Sequence, residues 1–266
     1  MNLAIIIPHG AALRLLTDVL PITEIKLKYN VFIICDEELI SDRILNFCEK
    51  NRITLLGKKF DDISSYPFLK RILRNVRAYV YPYKYKNKTL IDFWDSFRFE
   101  NKKRRNSILK LYLQDLIYIL SCRLKIFRNF FSSIECFFTD TNIEEQIIIE
   151  NKIQEIFITS FSGVDINDQF LLASKRKQIK SCVYIQSWDN PSGNGFNLCK
   201  PDKVLSYSKS MNHQLEKFQE INKSKIYVVG ALQYANWLGH GKENNFINKK
   251  INVLYGGKSY KRFAYD

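Results

Sequence analysis

Apolar residues along this chain follow two rhythms. Short unbroken blocks rich in Ile and Val alternate with longer stretches where apolar residues recur at helical spacing. The first block, Leu3 to Ile7, predicts a buried strand. Pro8, His9 and Gly10 break it. From Ala11 to Lys28, Leu13, Leu16, Val19, Leu20 and Ile25 keep a helical period, with Pro21 placed to split or kink the helix. Val31 to Cys35 predicts a second strand, Glu37 to Lys50 a second helix, and Ile53 to Leu56 a third strand. This β-α-β-α-β order implies a parallel sheet with right-handed crossovers.

The middle of the chain breaks the rhythm. Pro67 to Tyr81 predicts a basic helix, Lys84 to Asn106 an irregular insertion, and Ile108 to Phe131 a strongly periodic helix. The alternation then resumes. Strands are predicted at Ile134–Thr139, Glu155–Thr159, Ser181–Gln186, Lys203–Tyr207 and Lys225–Val229. Helices are predicted at Asn142–Lys152, Asp168–Gln178 and Ser210–Gln219, the last with Ser208 as its N-cap. One more strand is predicted at Lys249–Tyr255, followed by Gly256-Gly257-Lys258-Ser259. That loop lacks the spacing of a phosphate-binding P-loop.

The fold expected is therefore α/β: a Rossmann-like parallel sheet flanked by helices, with a basic helical insertion at about 67–131. Residues 1–240 form the amino-terminal domain, and 241–266 form a linker and the first strand of a second Rossmann-like domain. Ligands of doubly wound sheets sit at the carboxyl ends of the strands. That rule joins four loops into one site: His9-Gly10, Ser160 to Gly163, Trp188 to Gly195, and Gly230 to Tyr234.

Each candidate has a plain reading beside the functional one. A histidine at a strand end, with a near-neutral pKa, suits a base for an acceptor hydroxyl; His9 is equally explained as a turn residue. Asp189 suits the same catalytic work or the orienting of a sugar hydroxyl, with Asn190 beside it. Trp188 suits stacking on a sugar face. An Asx turn with Trp188 in the core accounts for the same residues. Gly193 and Gly195 let a backbone approach a ligand, or only close a loop. Ser160, Ser162 and Gly163 suit phosphate binding through backbone amides.

Charge adds a second theme. The chain carries a formal net charge of +14. Between Lys70 and Arg128, sixteen Lys or Arg stand against four acids. Arg71, Arg74, Arg77, Lys102, Lys103, Arg104 and Arg105 flank Tyr79, Tyr81, Tyr83, Phe93, Trp94, Phe97 and Phe99. Cations among interfacial aromatics suit an anionic membrane surface. Single-stranded nucleic acid uses the same pairing but is not the expected partner, and a solvated face over core aromatics is the plain reading. Hydrophobic residues make up 46% of the chain, enough for a packed core. Six cysteines without a C-x-x-C pair read as reduced, buried thiols. With three histidines and no ligand spacing, no metal site is expected. No signal peptide or membrane-length apolar run is visible, so the expected location is cytoplasmic, peripheral to the inner membrane face.

The run SWDNPSGNG from Ser187, then KPDKVLSYSKSMNHQLEKF from Lys200 and KIYVVGALQYANW from Lys225, resembles the amino-terminal half of GT-B type glycosyltransferase-like proteins of surface polysaccharide biosynthesis. These are distantly similar to nucleotide-sugar 2-epimerases and to polyol-phosphate transferases. Ser187, Trp188, Asp189, Asn190, Gly195, Pro201, Asp202, Gly230, Ala231, Gln233 and Trp237 match the family pattern. Pro191, Asn194, Leu232 and Ala235 depart from it, and the family's lysine at the place of Asn194 is a phosphate contact this chain lacks. The resemblance covers about residues 155 to 240. It implies transfer of a sugar or polyol phosphate from a nucleotide donor, as substrate rather than cofactor, to a hydroxyl of a glycan or lipid-linked acceptor. It also implies substrate contacts from Gly230 and Gln233 as well as the loops above. A GT-B enzyme holds its donor in a second domain, so this chain alone is not expected to show full transferase activity. A 2-epimerase-like enzyme and a non-catalytic, basic, membrane-associated module are the alternatives.

Overall fold

In a computed structural model the chain is described over residues 1–59, 123–161, 165–187 and 196–235, with Pro191 and single positions among 70–95 and 116–120. Seven strands form one sheet: β1 (Asn2–Ile7), β2 (Asn30–Asp36), β3 (Thr54–Lys58), β4 (Glu155–Ile158), β5 (Lys180–Tyr184), β6 (Lys203–Ser206) and β7 (Ile226–Val228). Their order is β3-β2-β1-β4-β5-β6-β7, and every neighbouring pair is parallel.

The helices whose bounds are described are α1 (Gly10–Asp18), α2 (Ile22–Lys26), α3 (Asp42–Asn51), α4 (Lys125–Phe138), α5 (Asn142–Glu150), α6 (Asp165–Arg176) and α7 (Lys209–Gln219). Strand alternation explains how they cover the sheet. On β1, Leu3, Ile5 and Ile7 join a core with Ala12 and Leu16 of α1 and Ile44 and Cys48 of α3. Ala4 and Ile6 face the other way, into a core with Phe170 to Ala173 of α6 and Met211 and Leu215 of α7. Both faces are buried, which is why the strands read as unbroken apolar runs.

The order places a topological switch point between β1 and β4. From β1 the chain winds outward to β2 and β3. It then returns to β4 on the other side of β1 and winds outward again to β7. In doubly wound sheets crossovers on the two sides of such a point leave opposite faces, and ligands bind in the crevice between the two loops.

The helical and strand expectations meet the structure unevenly. Pro21 does end the first helix: α1 stops at Asp18, and α2 restarts at Ile22. The predicted Glu37–Lys50 helix is a 3₁₀ turn at Glu37–Leu39 and then α3. Ser208 caps α7, its hydroxyl accepting from the Met211 amide at 3.2 Å. The predicted strand at Ile134–Thr139 is a correction: those residues are the last turns of α4. A short apolar run does not distinguish strand from helix by itself, and this one continues the helical period that starts at Ile126. The predicted Ile108–Phe131 helix is interrupted at Leu124, whose backbone is extended. The Lys249–Tyr255 strand and the proposed second-domain start lie outside the described residues. Among the described residues, no helix is long and apolar enough to cross a membrane.

Candidate functional site

β1 ends at Ile7, and His9 caps the helix that follows. Its Nδ1 accepts from the Ala12 amide at 3.3 Å. β4 ends at Ile158, and buried Ser160 follows after one residue. The His9 Nε2 and Ser160 Oγ atoms lie 3.0 Å apart, across the switch point. Two residues 151 apart in sequence thus meet where the fold opens.

The cap sets the histidine's tautomer. Nδ1 accepts a backbone N–H, so it carries no proton, and the neutral ring holds its proton on Nε2. Nε2–H then donates to Ser160 Oγ. Burial lowers the His9 pKa, so the neutral ring is favoured further. This corrects the role expected from sequence. With its proton on Nε2 and its Nδ1 lone pair on Ala12, His9 has no free lone pair for abstracting a proton. Its one N–H is directed at Ser160.

Gly10 opens α1 immediately after this pair. Among the described residues, the amides of Gly10 and Ala11 meet no acceptor, and a Cβ placed at Gly10 would meet nothing within 4 Å. The positive end of α1 therefore lies beside the His9–Ser160 pair at the switch point between β1 and β4. Such an arrangement suits an oxygen-rich group: a sugar hydroxyl, a carboxylate or a phosphate.

The loop after β7 forms one wall. Gly230 takes φ +84°, a left-handed conformation that glycine adopts without strain. The chain then turns at Leu232–Tyr234 and packs against α1. Tyr184, the last residue of β5, anchors that turn. Its hydroxyl donates to Gln233 Oε1 at 2.7 Å and accepts from the Leu232 amide at 2.8 Å. Burial pushes the Tyr184 pKa far up, keeping the phenol neutral. Gln233 Nε2 donates to the Gln186 carbonyl at 3.0 Å and to the Tyr207 hydroxyl. Gln233 was expected to contact substrate. Its amide braces the ends of β5, β6 and β7 through three internal partners. Tyr184 and Tyr207 were not singled out from the sequence; the available signal was an aromatic at the end of each of two adjacent strands.

The loop between Ser187 and Phe196 is held at its edges. The Pro191 carbonyl accepts from the Tyr81 hydroxyl at 2.8 Å and from Gln219 Nε2 at 2.9 Å. The Phe196 carbonyl accepts from Arg77 Nη1. Trp188, Asp189, Asn190, Gly193 and Gly195 lie outside the described residues, as do Ser162 and Gly163.

Arg77 is a second correction. It was expected to face an anionic surface, yet it is only 6% exposed. Its Nε and Nη2 donate to Glu135 at 3.1 and 3.0 Å, and Nη2 also donates to Asp168 at 2.8 Å. Both carboxylates are buried. The guanidinium is thus committed inside the protein, tying the basic segment to α4 and α6. Arg74 is half-buried, and Arg71, Lys102, Lys103, Arg104 and Arg105 lie outside the described residues. Among the described residues, no cluster of His, Cys, Asp and Glu is arranged to hold a metal ion.

No protein-family model matches the chain, and no curated protein does. Among solved structures it is similar to MurG of Acinetobacter baumannii, at 9% sequence identity and a TM-score of 0.41. The match covers 86% of this chain and 45% of the other, so the chain spans less than half of that protein's length.

Proposed function

We propose that this chain is the acceptor-side domain of a GT-B type glycosyltransferase of surface polysaccharide biosynthesis. The reaction would move a sugar or polyol phosphate from a nucleotide donor to an acceptor hydroxyl. The observation that carries the reading is the His9–Ser160 pair at the switch point, beside the first amides of α1, which meet no acceptor among the described residues. The motif resemblance in 187–237 supports it as well.

In this reading the crevice binds and orients the acceptor. The α1 terminus, beside the His9–Ser160 pair, holds its oxygens. The His9–Ser160 bond fixes the loops after β1 and β4 against each other, so the α1 amides meet the acceptor in one orientation, which lowers the entropy still to be lost on reaching the transition state. The proton of the attacking hydroxyl goes to Asp189, the remaining candidate base, because His9 is held as a donor. Nucleotide-donor contacts belong to a second, donor-side domain.

Saturation-transfer NMR with a panel of polysaccharide fragments tests the acceptor half. The native chain is expected to saturate at least one fragment, and Ser160→Ala to weaken that binding about tenfold while the fold is retained, on the scale of one lost hydrogen-bonded contact. A chain that saturates no glycan, or a Ser160→Ala variant that binds as well as the native chain, refutes the assignment.

A further inference from the structure

Helix α4 is amphipathic in the wrong sense for a water-facing element. Its inward side carries Glu135, buried in the Arg77 ion pair. Nine residues from Ile126 is half a turn out of phase, so the opposite side is the one that holds Ile126. Phe130 and Phe137 follow at four and eleven residues, on the same stripe. Ile126, Phe130 and Phe137 are 74%, 58% and 80% exposed. A helix of a globular protein ordinarily turns such residues inward, and large exposed apolar stripes mark interaction surfaces.

Charge identifies what covers it. The first turn of α4 contains Lys125 and Arg128 and no acid. Arg123, just ahead, is exposed. These three cations end the 70–128 stretch, in which sixteen basic residues oppose four acids; Lys70 and Arg77 among the sixteen are buried. A second copy of the chain would bring the same positive block against it and be repelled. An anionic lipid surface supplies both requirements, a negative headgroup layer and an apolar interior for the aromatic rings.

We infer that the Ile126–Phe130–Phe137 face of α4 inserts into the interface of an anionic membrane, with the neighbouring basic residues on its headgroups. This stands apart from the transferase reading and does not depend on it. The membrane contact assigned from sequence to Arg77 moves to α4, because Arg77 is buried while these side chains are exposed.

The test is cosedimentation of the full chain with vesicles of mixed phosphatidylglycerol and phosphatidylcholine, against pure phosphatidylcholine, at two salt concentrations. The native chain is expected to pellet with the anionic vesicles and less so at high salt. Basic residues alone attract such vesicles, so the deciding readout is the variant-to-native ratio. Phe130→Gln with Phe137→Gln is expected to weaken binding by about tenfold or more, on the scale of apolar area withdrawn from water. Both residues are exposed, so its thermal melt is expected to match the native one. Ile126→Gln, at the far end of the stripe, repeats the measurement independently if the double variant melts early. Native-like vesicle binding by the variants overturns the proposal, as does no binding of the native chain to anionic vesicles. A lipid-free dimer that the variants abolish in sedimentation equilibrium assigns the stripe to a second copy and overturns it too.

Discussion

Replacing Arg77 with Met should have one of the largest effects of any single change at a position that reads as surface charge. The guanidinium makes two bonds to Glu135, one to Asp168 and one to the Phe196 carbonyl. Methionine fills similar space without the charge, so packing changes little. It leaves two carboxylates in the interior with their cation removed. Orphaning a buried charge in this way costs about 3–5 kcal/mol. For a chain of this size each kcal/mol moves the melting temperature by roughly 2–4 °C. The expected drop is therefore about 6–20 °C, read by circular dichroism or differential scanning calorimetry. A solvated arginine, as the basic run suggests, would contribute only about 0–1 kcal/mol. Neutralising the carboxylates as well, in Arg77→Met with Glu135→Gln and Asp168→Asn, is expected to recover much of the loss. The Asp168→Asn change keeps a side-chain carbonyl to accept from the Leu198 amide, as the native carboxylate does. An Arg77→Met chain that melts within about 2 °C of the native protein would refute the buried triad.

Three further outcomes follow from the crevice. Burial holds the folded His9 pKa below its ordinary 6.5, so the unfolded chain takes up this proton first as pH falls. The stability associated with His9 is complete above 6.5 and declines as pH falls below it; His9→Asn, which keeps a capping side chain, should flatten that part of a melting-temperature profile between pH about 7.5 and about 5.5. Gly10→Ala should leave stability unchanged or raise it by up to about 1 kcal/mol, because alanine favours a helix and its Cβ meets nothing within 4 Å. If the Gly10 backbone approaches a ligand, glycan binding in the same variant should fall; full retention shows that it does not. Tyr184→Phe leaves the Leu232 amide and Gln233 without the shared hydroxyl, and a loss of about 1–3 kcal/mol in urea denaturation is expected. A variant as stable as the native chain would show that the β7 turn is not held through this phenol.

Much of the fold was legible in the sequence because a doubly wound sheet writes itself locally. A strand buried on both faces is an unbroken apolar run, so β1, β2, β4, β5 and β6 stood out. Proline and glycine then ended them at the loops that matter. Knowing that loops after parallel strands share one edge was enough to place His9, Ser160 and Gln233 there. What each side chain does depended on partners far along the chain. His9 and Ser160 are 151 residues apart, and Arg77 reaches Glu135 and Asp168 across 58 and 91. Periodicity reports neighbours within a few residues, so it could not distinguish a buried arginine from an exposed one. It also could not separate the last turns of α4 from a strand. Only tertiary packing decided that both His9 ring nitrogens have partners, that the Gln233 amide braces three strand ends, and that α4 turns Glu135 inward and Phe130 and Phe137 out. Local apolar pattern was enough to write the sheet. The tertiary structure decided which charges are buried, because desolvation is a property of the assembled surroundings and not of the residue that carries the charge.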